Sequence, residues 1–154
     1  MKKVVLKPVE WDQRLSFFDL LLLADESEEI VNKYILEGEM YSIKYEGATA
    51  GVMLFTFHPD HVVEIKNMAI SEKYQGMGIG KMAIKKSFEV YRSRGFNKMI
   101  VGTANSSIAN LAFYQKAGFR MSEIKKDFFK KYPDPIYENG IRALDMVLFE
   151  KNLP

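Results

Sequence analysis

The order of apolar and polar positions divides the chain into short periodic blocks. Lys2 to Val9 alternates as a first strand, and Trp11, Leu15, Phe18 and Leu22 then recur at the spacing of an amphipathic helix. Asp25 with Glu28 forms a capping box for a second helix, with Ile30, Val31, Tyr34 and Ile35 on its apolar side and Gly38 at its exit. Met40 to Tyr45 and Ala50 to Phe57 are strand-like runs split by Glu46 and Gly47, the pattern of a hairpin. The segment from His58 to His61 turns the chain again, and Val62 to Ile70 reads as a fourth strand.

Ser71 to Gln75 leads into a helix from Gly78 to Ser93. Ala83, Ile84, Ser87, Phe88 and Tyr91 share one of its faces, and Lys81, Lys85, Glu89 and Arg92 share the other. Lys98 to Gly102 is a short buried strand, and Asn105 to Ser107 offers caps for a helix carrying Ile108, Leu111 and Ala112. Gly118 stands where a left-handed cap ends that helix, with Phe119 covering it. Phe119 to Asp127 and Ile141 to Phe149 finish as strands around an irregular segment. Early hairpins followed by a strand, helix, strand crossover predict an α/β fold with parallel and antiparallel pairs in one sheet. The length of 154 residues suits one domain, residues 1–154, with no repeat or linker.

Lys and Arg total 22 against 20 Asp and Glu, a formal charge of +2 that gives no reason to expect nucleic acid as a partner. The chain has no cysteine, so a disulfide framework, a thiolate metal site and a cysteine nucleophile are all excluded. Lys7 and Pro8 interrupt the start before any signal-peptide core, and Phe17 to Ala24 is too short to span a bilayer. No membrane association is therefore expected, and a cytoplasmic location is. His58 and His61 flank a turn without a third ligand, and no metal is expected.

The chemistry concentrates at Gln75 to Lys81, QGMGIGK, where glycines at alternate positions follow an apolar strand and open a helix. Bare amides at a helix start bind phosphate, although glycines there also serve a tight turn and close packing. Met82 stands where a Walker loop needs Ser or Thr. The spacing of Gly76, Gly78 and Gly80 does not match the dinucleotide fingerprint either.

The succession EIKNMAI, YQGMGIGK and NSSIANLAFYQKAGF resembles the GNAT family of acyl-CoA-dependent N-acyltransferases, by motif over the last two thirds of the chain and by element order over the first. The resemblance implies a mixed, mostly antiparallel sheet of about seven strands, with a central strand-loop-helix-strand wedge for acetyl-CoA, the acyl donor. The amides of Gln75, Gly76, Met77, Gly78, Ile79 and Gly80 would hold the pyrophosphate, with Lys81 adding charge or simply facing solvent. Met68 and Ile70 would pair with the pantetheine arm, and an amide near Met68 or Ala69 would polarise the acyl carbonyl. Asn105 and Asn110 would hydrogen-bond the arm, Asn105 being equally a helix cap.

An alkylammonium of pKa about 10.4 must lose a proton before it attacks a thioester. Glu64, at the head of EIKNMAI, resembles the position of the general base in some family members. Its other reading is a strand carboxylate paired with Lys66 or another cation. Alternation puts it on the face of Lys66, Met68 and Ile70 unless a bulge intervenes. Tyr114 stands where family tyrosines protonate the departing thiolate. The expected reaction is direct transfer in a ternary complex to a primary amine on a small molecule or a protein. The alternative is an inactive acyl-CoA-binding sensor or interaction module, against which Tyr114 argues. The segment Asp127 to Gly140 resembles the family loop beside the acceptor pocket, and a homodimer is common in such enzymes by resemblance.

Overall fold

The computed structural model describes residues 3–154, so Lys2, the expected start of the first strand, lies outside the described residues. A seven-stranded sheet runs in the order β1-β2-β3-β4-β5-β9-β6, and only the β4–β5 pair is parallel. Its strands are β1 (Val4–Pro8), β2 (Glu39–Tyr45), β3 (Ala48–His58), β4 (Val62–Ile70), β5 (Lys98–Ala104), β6 (Arg120–Lys125) and β9 (Met146–Asn152). The mixed, mostly antiparallel sheet is the one expected. The last strand is displaced, however. Ile141 and Arg142 form β8, which pairs with β7 (Tyr137–Glu138) in a separate hairpin, and β9 begins only at Met146. Chain order could not reveal this, because β9 inserts between β5 and β6 and takes its register from both.

The sheet separates two apolar layers. On one face α3 (Ile79–Ser93) and α4 (Ile108–Lys116) cover Ile43, Phe55, Val63, Ile65 and Phe149. On the other, α1 (Phe18–Leu21) and α2 (Glu28–Tyr34) cover Met40, Val52, Leu54 and Ala69. The helical stripe read along α3 is the buried one, and Ile79 joins it. At the end of α4, Gly118 adopts φ +108°, and Phe119 N–H donates to the Tyr114 carbonyl at 3.0 Å, closing the cap as expected.

The first helix departs from its sequence pattern. Residues Trp11–Phe17 form a 3-10 helix, and only Phe18–Leu21 are α-helical. Trp11 and Leu15 are exposed, whereas Arg14 is buried. The tighter winding turns Arg14 inward, where its guanidinium donates to the carbonyls of Ile35, Glu37 and Gly38 at 3.3, 2.5 and 2.6 Å. A cation at the open carbonyl end of α2 outweighs the apolar periodicity. The second helix starts at Ser27 rather than through an Asp25–Glu28 box. The Ser27 hydroxyl accepts from Ile30 N–H at 3.2 Å, leaving Asp25 for another task.

Candidate active site

A β-bulge in β4 builds the site. Leu54 pairs with Asn67 and Phe55 with Ile65, so Lys66 is the extra residue. Val63 and Ile65 point to the α3 side, and beyond the bulge Met68 and Ile70 do so as well. Glu64 therefore shares its face with Asn67 and Ala69. The expectation that it shares one with Met68 and Ile70 is overturned by the bulge. The same bulge ends the β4–β5 ladder, which runs from Val62–Lys98 to Ile65–Val101 and stops. Past Ile65 the β5-facing edge of β4 has no strand partner, and a cleft opens.

Beyond Ile70 the chain bends through a 3-10 turn, Glu72–Tyr74, into the glycine loop, and Gln75 Nε2 donates to the Ile70 carbonyl at 2.9 Å. Gly76 and Gly78 adopt φ +79° and +77°, and a Cβ on either would meet nothing within 4 Å. Glycine is required there by the backbone, and the space beside it stays open. The amides of Gly76, Met77 and Gly78 make no hydrogen bond to another described residue, and the first N–H groups of α3 follow them. This cradle fits a phosphate group. Gly80 has the packing role instead, since a Cβ there would lie 3.3 Å from the Phe113 ring.

From this loop a cleft of about 740 Å³ runs between β4 and β5 to the segment 128–138. It brings together Glu64, Met68, Ala69 and Ile70 from β4, Gln75, Gly76, Gly78, Ile79, Gly80 and Lys81 from the loop, and Asn110 and Tyr114 from α4. Met77 and Asn105 lie off it. Asn105 is not the cap of α4, which is Ser107. Its Oδ1 instead accepts from the N–H groups of Leu144 and Asp145 at 2.9 and 3.0 Å, pinning the chain after β8. Ser107 in turn donates from its hydroxyl to Glu138 at 2.6 Å, which fastens the β7–β8 hairpin beside the cleft.

Tyr114 is buried, with its ring against Phe113, Phe119 and Phe149 at centroid distances of 5.2, 5.8 and 5.8 Å. Its hydroxyl makes no hydrogen bond to another described residue, and burial pushes the phenol up to about 12. It stays protonated at neutral pH, as a hydrogen-bond donor must. Asn110, one turn earlier, donates to Thr103 Oγ1 at 3.4 Å. Among the described residues Glu64 is paired with neither Lys66 nor another lysine; its carboxylate meets Nε2 of His58 at 2.6 Å.

The far end of the cleft holds a polar group that periodicity did not identify. Asp25 accepts from the hydroxyls of Tyr34 and Tyr132 at 2.9 and 3.0 Å and from Ser27 N–H at 3.3 Å. Asn67 Nδ2 donates to the Leu21 carbonyl and to the Tyr34 oxygen at 3.0 and 2.9 Å, which leaves its buried Oδ1 without a partner among the described residues. Burial raises the Tyr34 and Tyr132 phenols well above their ordinary value. An asparagine inside the apolar run EIKNMAI was the available signal for Asn67. Nothing local ties Tyr132 to Asp25. Among the described residues no group of His, Asp and Glu could hold a metal ion, and no helix is long and apolar enough to cross a membrane.

The acetyltransferase (GNAT) family matches residues 8–119 of the chain. The uncharacterized N-acetyltransferase YvbK of Bacillus subtilis strain 168 is 42% identical over 131 residues, 84% of this chain and 84% of its own. Among solved structures, a GNAT family acetyltransferase from Elizabethkingia anophelis with acetyl-CoA bound is 39% identical, with a TM-score of 0.90 over 97% of this chain and 98% of its own. An acetyltransferase from Bacillus subtilis in complex with CoA is 37% identical, with a TM-score of 0.86 over the whole of both chains.

Proposed function

The chain belongs to the acetyltransferase (GNAT) family and is an N-acetyltransferase using acetyl-CoA as donor, and on that premise we propose that it acetylates a primary amine by direct attack in a ternary complex. The observation that carries the proposal is one cleft shared by the open glycine cradle, the free edge of β4, Glu64 and Tyr114.

The donor supplies an activated thioester carbonyl, and this chain's residues do the rest. The amides from Gly76 to Gly80 hold the pyrophosphate. The edge of β4 from Met68 to Ile70 pairs with the pantetheine arm, and a main-chain N–H near Met68 or Ala69 stabilises the developing oxyanion. Glu64, directly or through water, takes the proton that frees the amine nitrogen for attack. As the C–N bond forms and the C–S bond breaks, Tyr114 donates to the departing thiolate sulfur. Two protons leave the ammonium nitrogen in all: one ends on sulfur, and the other passes through the base to solvent. A phenol of pKa about 12 is a weaker acid than a thiol, so its main contribution is hydrogen bonding to the nascent thiolate. No covalent enzyme intermediate is needed.

Calorimetric titration with acetyl-CoA, followed by a free-thiol assay over an amine library, tests the proposal. Micromolar binding with thiol release on at least one amine is the expected result. Binding without turnover on any amine would make the chain an acyl-CoA-binding module instead.

A further inference from the structure

Two lysines stand at the acceptor end of the cleft without forming an ion pair among the described residues. Lys66, the bulged residue of β4, holds its Nζ 5.5 Å from the centroid of the Tyr34 ring. Lys131, at the end of the 3-10 turn Phe128–Lys131, holds its Nζ 3.9 Å from that of Phe128. Both line the cleft, and neither makes a salt bridge among the described residues. Of the acids lining the cleft, Asp25 is engaged by the two tyrosine hydroxyls, Glu64 by His58 and Glu138 by the hydroxyls of Ser106 and Ser107, while Glu26 forms no ion pair with either lysine.

The Lys131 ammonium is held below its ordinary value first by desolvation and then by the charge of Lys66, with Lys33 adding to it; Asp25 and Glu64 oppose this. Lys66 and Lys131 line one cleft without an ion pair, and an oxyanion placed between them would offset the repulsion of their charges. Glu64 lies two strand positions from Lys66, roughly 6 Å along the backbone, so a base and a free cation share one wall.

We infer that the acceptor carries an anionic oxygen group, a carboxylate or a phosphate, a few bonds from its amine, and that Lys66 and Lys131 hold that group at the mouth of the cleft. This rests on the acetyl-transfer reading for the amine end of the ligand. It narrows the acceptor from any primary amine to an amphoteric small molecule.

The test is binding to the CoA-loaded protein, so that it reads independently of turnover. Matched probes are β-alanine against propylamine, and 2-aminoethyl phosphate against ethylamine. At least one anion-bearing member is expected to bind about tenfold or more tighter than its partner without the anion, and the arm that does so tells carboxylate from phosphate. The double variant Lys66→Gln, Lys131→Gln is expected to abolish the difference, while Lys85→Gln, on the outer face of α3, keeps it. Equal binding within both pairs, no binding by either anionic probe, or a preference that survives the double variant overturns the inference. Absence of acetyl transfer to every amine would strike the catalytic reading alone.

Discussion

The Glu64 carboxylate lies 2.6 Å from Nε2 of His58, on the sheet face that the Lys66 bulge separates from Met68 and Ile70. Glu64 lines the cleft, while the His58 side chain is 45% exposed, so the pair connects the cleft with solvent. For Glu64→Gln we expect kcat to fall by about a hundredfold and the low-pH limb of the rate profile to disappear. His58→Gln is expected to cost only severalfold, because water can replace the exposed partner. A Glu64→Gln profile that keeps its low-pH limb would assign the base elsewhere.

Tyr114→Phe is expected to lower kcat by roughly tenfold to a thousandfold while leaving acetyl-CoA affinity within about threefold, as for a donor used only as the sulfur departs. Unchanged turnover would remove the tyrosine from the mechanism.

The same phenol predicts an alkaline stability loss. Its pKa is raised on folding, from an ordinary 10 up to about 12. The folded state therefore binds more protons between those values, and the stabilisation is fully present below pH 10 and lost as pH rises through about 12. Chemical denaturation should show the wild type losing stability relative to Tyr114→Phe as pH rises through that window; parallel curves would contradict the assignment.

At Gly78, φ is +77° and the space around a Cβ is empty, so Gly78→Ala is a conformational rather than a steric change. It is expected to cost about 1–2 kcal/mol of local strain and to raise the KM for acetyl-CoA, with kcat little affected at saturating donor. A raised KM for the amine alone would place this loop in acceptor binding.

Asp25 joins α2 to the segment after the Phe128–Lys131 turn through its two tyrosine bonds. Asp25→Ala leaves both buried-side hydroxyls without their acceptor and should destabilise the protein by about 2–3 kcal/mol, whereas Tyr132→Phe, which removes one bond, should cost about 1 kcal/mol. Thermal melts check the order. An Asp25→Ala loss no larger than that of Tyr132→Phe would show that the Tyr34 bond adds nothing.

Much of this protein follows from neighbouring residues. The α3 stripe, the φ-positive glycines after β4, the Gly118 cap with Phe119 and the alternation of the early strands are local, because periodicity, turn geometry and capping act within a few positions. Those local features, with the run from EIKNMAI to AFYQKAGF, were enough to point to the family and its donor.

The tertiary structure decided what depends on distant partners. The bulge that reverses Glu64 exists only in the register of β4 against β3, and β9 takes its place from strands on both sides. Arg14 is drawn inward by carbonyls more than twenty residues away, and Tyr132 reaches Asp25 across 107 positions. A polar group is buried where partners converge in space, and no hydrophobic period records that convergence. The sequence by itself thus determined the donor cradle, a matter of local backbone, while the tertiary structure alone assembled the acceptor end, where Glu64 and Lys66 of β4 are joined by His58, Asp25 and Lys131 from other parts of the chain.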